Sequence, residues 1–296
     1  MKIIDALYDY CLETGSGIIT DYTLFLNLTH LVRDKSYKEH KLQIRRTTVS
    51  LQQFLGLRSR MVRYGKIKRY SALGAGVYIF PGAEKRPIEE ACCFVDPFCY
   101  ISHFSAMQRY RLTNRNPTAL ALTTPARAHW NEKKITKIKN DIVSIEEQKI
   151  ATTLLVKSTF ANTIRKRNIS RHETLHLGDF HPIRGNKTSR ISTIGQTFVD
   201  MLSHPHLCGG IDHVLEVWKD HAPTYHDQII SSVEKTHSNI VKVRAGYILD
   251  EVLKSSDIRI QEWVKFAQRG SSRKLDPKAP YQPIFSEKWM ISINVN

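Results

Sequence analysis

Near residue 65 the spacing of apolar residues changes from helical to alternating, and this change restricts the fold of the first 82 residues more than any other feature. Between about Thr47 and Tyr64, the residues Val49, Leu51, Phe54, Leu55, Leu57, Met61 and Val62 recur at helical intervals, with Gly56 as a point where that helix can divide. After it, Lys66 to Tyr70 alternates like a strand. Gly74, Ala75 and Gly76 suit a tight turn, Val77 to Phe80 reads as the return strand, and Pro81 and Gly82 close the unit. Two earlier helices are expected. The first covers residues 2–14, with Ile3, Ile4, Leu7, Tyr8 and Cys11 on one face and Gly15 and Gly17 ending it. The second is capped by Thr20 or Asp21 and carries Tyr22, Phe25, Leu26 and Leu28, with a polar linker from Asp34 to His40 behind it. Helices followed by a basic two-stranded hairpin are the layout of a winged helix-turn-helix.

Charge singles out the same region. The 296 residues include 44 Lys and Arg against 28 Asp and Glu, a net +16, and such a chain is expected to meet polyanions. From Arg33 to Arg69 there are twelve basic residues and two acidic ones, Asp34 and Glu39; from Lys41 to Arg69 there are nine basic residues and no acid. An ordinary solvated face mixes signs. The major groove of DNA admits one helix, and a hairpin can lie beside it on the phosphates. The residues expected on double-stranded DNA are Arg45, Arg46, Arg58, Arg60, Arg63, Lys66, Lys68 and Arg69. Arg58 and Arg60 are the expected base readers, and Lys66 and Lys68 the phosphate anchors. The plainer alternative is a basic surface on a helical subdomain.

From residue 83 to the end the composition differs, so two parts are expected: a DNA-binding unit over 1–82 and a larger mixed α/β unit over 83–296, giving an α+β protein overall. Strands are expected at Ala119 to Thr123, Thr152 to Val156, Ser189 to Ile194 and Trp289 to Ile293. Ile135, Ile138, Ile142 and Ile145 have helical spacing, and helices should run from about Gly195 to Gln268. No stretch approaches the roughly 20 apolar residues of a membrane span. Met1 to Thr14 has no basic leader or small-residue cleavage site, so no secretory signal is expected. Five cysteines, an odd number in a large chain, point to a reducing, cytoplasmic compartment.

Catalytic and metal motifs are weak. His172-Glu-Thr-Leu-His176 is a literal HExxH, but that pattern chelates zinc only on a helix. Here Glu173 to Phe180 alternates like a strand, and Gly178 and Pro182 interrupt any helix. His204, His206, Cys208 and His213 match no standard zinc spacing, and the histidines read as surface and cap residues. The adjacent Cys92 and Cys93 read as a small buried apolar pair. There is no phosphate-binding glycine loop, nucleophile elbow or paired-carboxylate site. The expectation is a protein that is not an enzyme and has no cofactor or metal.

Several segments, in order along the chain, resemble the AbiEi family of antitoxins. Tyr100 to Thr113 (YISHFSAMQRYRLT) is similar to the segment that follows the winged helix there, with Phe104 and Met107 departing from it. Gly65 to Arg69 and Gly76 to Tyr78 resemble the family's wing. Ser192 to Leu202, Pro205 and Gly209 to Ile211 are similar to a further stretch, as are Val243 to Glu251, Leu275 to Pro277 and Trp289 to Asn294. The resemblance implies a transcriptional repressor of its own promoter; two copies on an inverted repeat are expected there, since half-site symmetry mirrors protein symmetry. It also implies a C-terminal unit that counters a nucleotidyltransferase-like toxin in abortive infection, a phage defence, without a stable complex. Asp200, Arg244 and Glu251 are the candidates for that second role. A DNA-binding regulator with a sensory C-terminal unit and no toxin is the alternative, and a metal-dependent nuclease a more distant one.

Overall fold

The structure is a computed structural model that describes residues 1–13, 17–83, 86–186, 188–270 and 273–295. Thr14, Gly15 and Lys85 therefore lie outside it. The first part runs α1 (Ile3–Glu13), β1 (Ile18–Thr20), α2 (Asp21–Asp34), β2 (Ser36–Tyr37), β3 (His40–Lys41), α3 (Leu51–Arg63), β4 (Lys68–Arg69) and β5 (Val77–Ile79). The polar linker after α2 is a short hairpin of β2 and β3 rather than a plain connection. Local chemistry sets the helix starts. Thr20 caps α2 and Ser50 caps α3, each through a reciprocal box with the residue three on, Thr23 and Gln53. Gly56 does not divide α3, which runs unbroken for 13 residues.

β5 pairs antiparallel with both β1 and β4, in the order β1-β5-β4. The connection between β4 and β5 is longer than a tight turn. It contains a 3-10 turn over Ser71–Leu73, and Leu73 is buried. Ser158 Oγ donates to the Leu73 carbonyl and Ala161 N to the Ala72 carbonyl, so the loop is held down by the second half of the chain.

That half continues with α4 (Ile88–Val95), β6 (Tyr100–Ile101), α5 (His103–Arg109), β7 (Ala119–Pro125), α6 (Arg127–Asp141), α7 (Ile145–Leu154), β8 (Thr163–Ile164), β9 (Arg167–Thr174), β10 (Phe180–Pro182) and β11 (Arg190–Ser192). Then come α8 (Ile194–Ser203), α9 (Ile211–His221), α10 (His226–Lys235), α11 (Asn239–Tyr247) and a last pair, β12 (Phe285–Ser286) and β13 (Ile291–Ser292). The class is mixed α+β. β6 to β11 form one sheet in the order β10-β11-β6-β7-β9-β8. Its longest pair, β7 and β9, is parallel and joined by α6 and α7. A parallel pair needs such a crossover, and β7, buried from Leu120 to Pro125, has the near-continuous burial of a covered central strand.

Two expectations fail locally. Thr152 to Val156 is not a strand: α7 covers it as far as Leu154, because Ser144 caps a new helix and Ala151 turns into the core. The isoleucine series spans two helices, so Ile138 and Ile142 are buried while Ile135 and Ile145 are exposed.

The apolar core of the first part does not end with it. Phe25, Leu28, Phe54 and Met61 share one cluster with Trp130, Ile138, Ile142, Ala151 and Leu155 from α6, α7 and the residues after them. Polar links cross at the same place. Tyr22 donates to Asp141 at 2.6 Å, and the Val49 amide donates to Glu147 at 2.9 Å.

Candidate functional site

The basic run of α3 divides into two faces with different fates. Phe54, Leu57 and Met61 face the core, and Arg58 lies beside them on the inner flank. Its guanidinium stands 2.9 Å from Asp21 Oδ2 and within 5.8 Å of the Phe54 ring centre. Asp21 opens α2 and takes the Gly76 carbonyl on its own amide at 2.7 Å. Gly76, at φ 69°, has no room for a Cβ, which would meet Asp21 Oδ2 at 2.7 Å. Arg58, Asp21 and Gly76 therefore tie α3, α2 and the hairpin together. Burial pushes the Asp21 carboxyl up, against the pull of Arg58.

The outer face of α3 carries Gln52, Gln53, Gly56, Ser59, Arg60 and Arg63, all exposed. These positions fall on one helical stripe. β4 presents Lys68 and Arg69, both exposed. Arg45 is exposed and Arg46 half-buried on the approach to α3. Arg60, Arg63, Arg45 and Lys68 form no ion pair among the described residues. Lys66 is different: it pairs with Asp5 at 3.1 Å and lies over the Tyr8 ring at 4.4 Å. Of the eight expected DNA contacts, Arg58 and Lys66 thus have intramolecular carboxylate partners.

A second concentration of polar groups contains none of these residues. A cleft of about 360 Å³ opens where β6, β7 and β9 meet α8 and α11. Thr123 on β7 stands in register with Tyr100 on β6 and His172 on β9, so these side chains share a face of the sheet. His103 starts α5 with φ 49°, a left-handed conformation unusual for a residue with a side chain. His204 sits just past α8. One ring nitrogen from each of His103, His172 and His204 lies within 4.8 Å of one from each of the others. Ser102 Oγ accepts from Thr123 Oγ1 at 2.8 Å and meets His103 Nδ1 at 2.8 Å. His103 Nε2 and Asp200 Oδ2 are buried without a hydrogen-bond partner among the described residues.

Burial dominates the electrostatics. It pushes His103 well below the usual imidazole value, lowers His172, and takes His204 down to about 4, so all three rings are neutral at neutral pH. The same cause raises Asp200 to about 7, against hydrogen bonds from Gln196 and the His103 backbone.

Asp200 and Arg244 line this cleft; Glu251 does not. Arg244 is buried and donates to the Leu202 carbonyl at 2.8 Å and the Lys274 carbonyl at 2.9 Å, which fastens the end of α8 to the C-terminal segment. Glu251 accepts from Ser286 Oγ at 2.6 Å and so holds β12.

The HExxH histidines part company, and the strand-like run expected over Glu173 to Phe180 is broken, since β9 ends at Thr174 and β10 starts at Phe180. His172 joins the cluster, while His176, beyond the end of β9, lies 4.2 Å from His237, ring centre to ring centre. His204 shares its cluster with neither Cys208 nor His213; His213 is buried, not a surface residue as expected, and meets Glu216 at 3.4 Å. Sequence spacing hid the triple because its members come from three separate elements. All five cysteines are buried and none is in a disulfide, Cys92 and Cys93 among them. No helix among the described residues is long and apolar enough to cross a membrane. Compared with protein-family models and with curated proteins, the chain matches none.

Proposed function

We propose that this chain is a DNA-binding transcriptional regulator whose first part is a winged helix-turn-helix, with α3 as the recognition helix and the β4–β5 hairpin as the wing. The observation that carries this reading is the outer stripe of α3. It combines amide, hydroxyl and guanidinium groups with no carboxylate, on a helix of about 20 Å that fits a major groove. Arg60 and Arg63 then read base edges, and Lys68, Arg69 and Arg45 hold phosphates. Arg58 and Lys66 maintain the unit instead of touching DNA. The wing contributes through the β4 edge and not through its tip, since Leu73 is buried.

The family resemblance extends the reading to an antitoxin of a toxin–antitoxin pair, acting in the cytoplasm. It would repress its own promoter and counter a nucleotidyltransferase-like toxin. The cleft supports a second reading, a regulator whose larger part senses a small ligand, because buried polar groups converge there around an open volume.

The test is fluorescence anisotropy of the full chain on DNA from its own promoter and on random duplex, across a salt series. Binding weakens steeply with salt as counterions are released. Arg60→Ala or Arg63→Ala costs about 1–3 kcal/mol on the promoter and narrows the gap to random DNA. Equal affinity for both duplexes in the wild type, or no loss in either variant, overturns the assignment. Growth rescue from the product of the adjacent gene separates the antitoxin from the ligand sensor.

A further inference from the structure

We propose that His103, His172 and His204 form a binding site for one divalent transition-metal ion of the zinc class, with its remaining coordination position open to the cleft. Imidazole nitrogen suits zinc and its late first-row neighbours, and three protein ligands with one open position is the arrangement of zinc sites that bind an exchangeable ligand. Three nitrogens about 2.0–2.1 Å from a tetrahedral ion stand roughly 3.3 Å apart. Here they are at most 4.8 Å apart, so shifts of about 1.5 Å or less complete the site.

Two further observations point to a cation. His103 Nε2 is buried and unpartnered, on a residue only 2% exposed, and this is the atom that a metal would satisfy. Its other nitrogen, Nδ1, is already held by Ser102, which is itself held by Thr123. With the proton on Nδ1 donated to Ser102, the Nε2 lone pair is free for the metal; such an outer hydrogen bond fixes the ring of metal-binding histidines. Second, Asp200 Oδ2 is also buried and unpartnered in the same cleft, where it can accept a hydrogen bond from metal-bound water. The left-handed backbone at His103 places its ring in the cluster at a local conformational cost, as happens at binding sites.

The site is independent of DNA binding, so its test does not depend on the function proposed above. Untagged full-length chain is stripped with chelator and titrated with Zn²⁺ by calorimetry and with Co²⁺ by visible absorption. The expected result is one ion per chain and the intense spectrum of four-coordinate Co²⁺. His172→Ala and His204→Ala each weaken binding by about 100-fold or more. Ser102→Ala, which keeps all three rings, weakens it by about 10- to 100-fold. Arg60→Ala leaves it unchanged. Melting curves establish that each variant is folded. Binding of less than a tenth of an ion per chain overturns the proposal. So does Co²⁺ that keeps its six-coordinate aqueous spectrum, or affinity in folded His172→Ala equal to wild type.

Discussion

Replacing Arg58 with alanine removes the guanidinium against which Asp21 rests and leaves that carboxylate at the junction of α2, α3 and the hairpin. The two side chains are 22% and 13% exposed and 2.9 Å apart. Removing one partner of a fully buried pair costs about 3–5 kcal/mol, whereas exposed pairs contribute about 1 kcal/mol or less. This pair lies between, so the expected loss is about 2 kcal/mol, a fall of roughly 4–8 °C in Tm. Asp21→Asn added to Arg58→Ala recovers part of the loss, because the unpaired charge is gone. Arg60→Ala, on the exposed stripe of the same helix, stays within about 0.5 kcal/mol of wild type. Thermal melting of the four proteins by circular dichroism gives the comparison. If Arg58→Ala melts with the wild type, or if Arg60→Ala loses as much, then Arg58 does not anchor α3 and the division of the basic run into inner and outer faces is wrong.

Gly56→Ala should stabilise the protein by up to about 1 kcal/mol, because a Cβ there meets nothing within 4 Å and alanine is the better helix former; a lower Tm would mean that this face of α3 is not open. Gly246→Ala should do the reverse. Its Cβ would stand 2.2 Å from the Trp289 ring, and overpacking of about 1–3 kcal/mol follows. A neutral result in denaturant melts would show that Trp289 does not pack on α11.

The N-terminal elements were legible because their signals are local. Ser50 and Thr20 are capping residues, and the change of period after Met61 marks where helix gives way to strand. β1 was not legible, since Ile18, Ile19 and Thr20 are too few to show a period; their strand exists because β5 pairs with them. Arg58, expected as a base reader from the charges along the helix, is paired with Asp21. Its position four after Phe54 puts it on the inner flank, a signal that was present in the sequence. Thr152 to Leu154 have strand-like composition and are helical because Ser144 starts α7 and Ala151 seats it in the core shared with α2, in part a tertiary effect. In the cleft, Asp200 and Arg244 were singled out through the family resemblance alone. The three histidines share no spacing, and only the pairing of β6, β7 and β9 brings the first two together.

Trp130, Ile138, Ile142, Ala151 and Leu155 complete the core on which α2 and α3 rest. This has a consequence for timing during synthesis. When Phe80 leaves the ribosome, every basic residue of the α3 face has been made, yet the apolar seat beneath it is open until Leu155 follows, 75 residues later (155 − 80). At about 5–20 residues per second, the delay is roughly 4–15 s. A nascent chain or a truncated product that stops before α7 carries the positive charge without the scaffold that orients it. The α3 face is therefore seated only after Leu155 has been added.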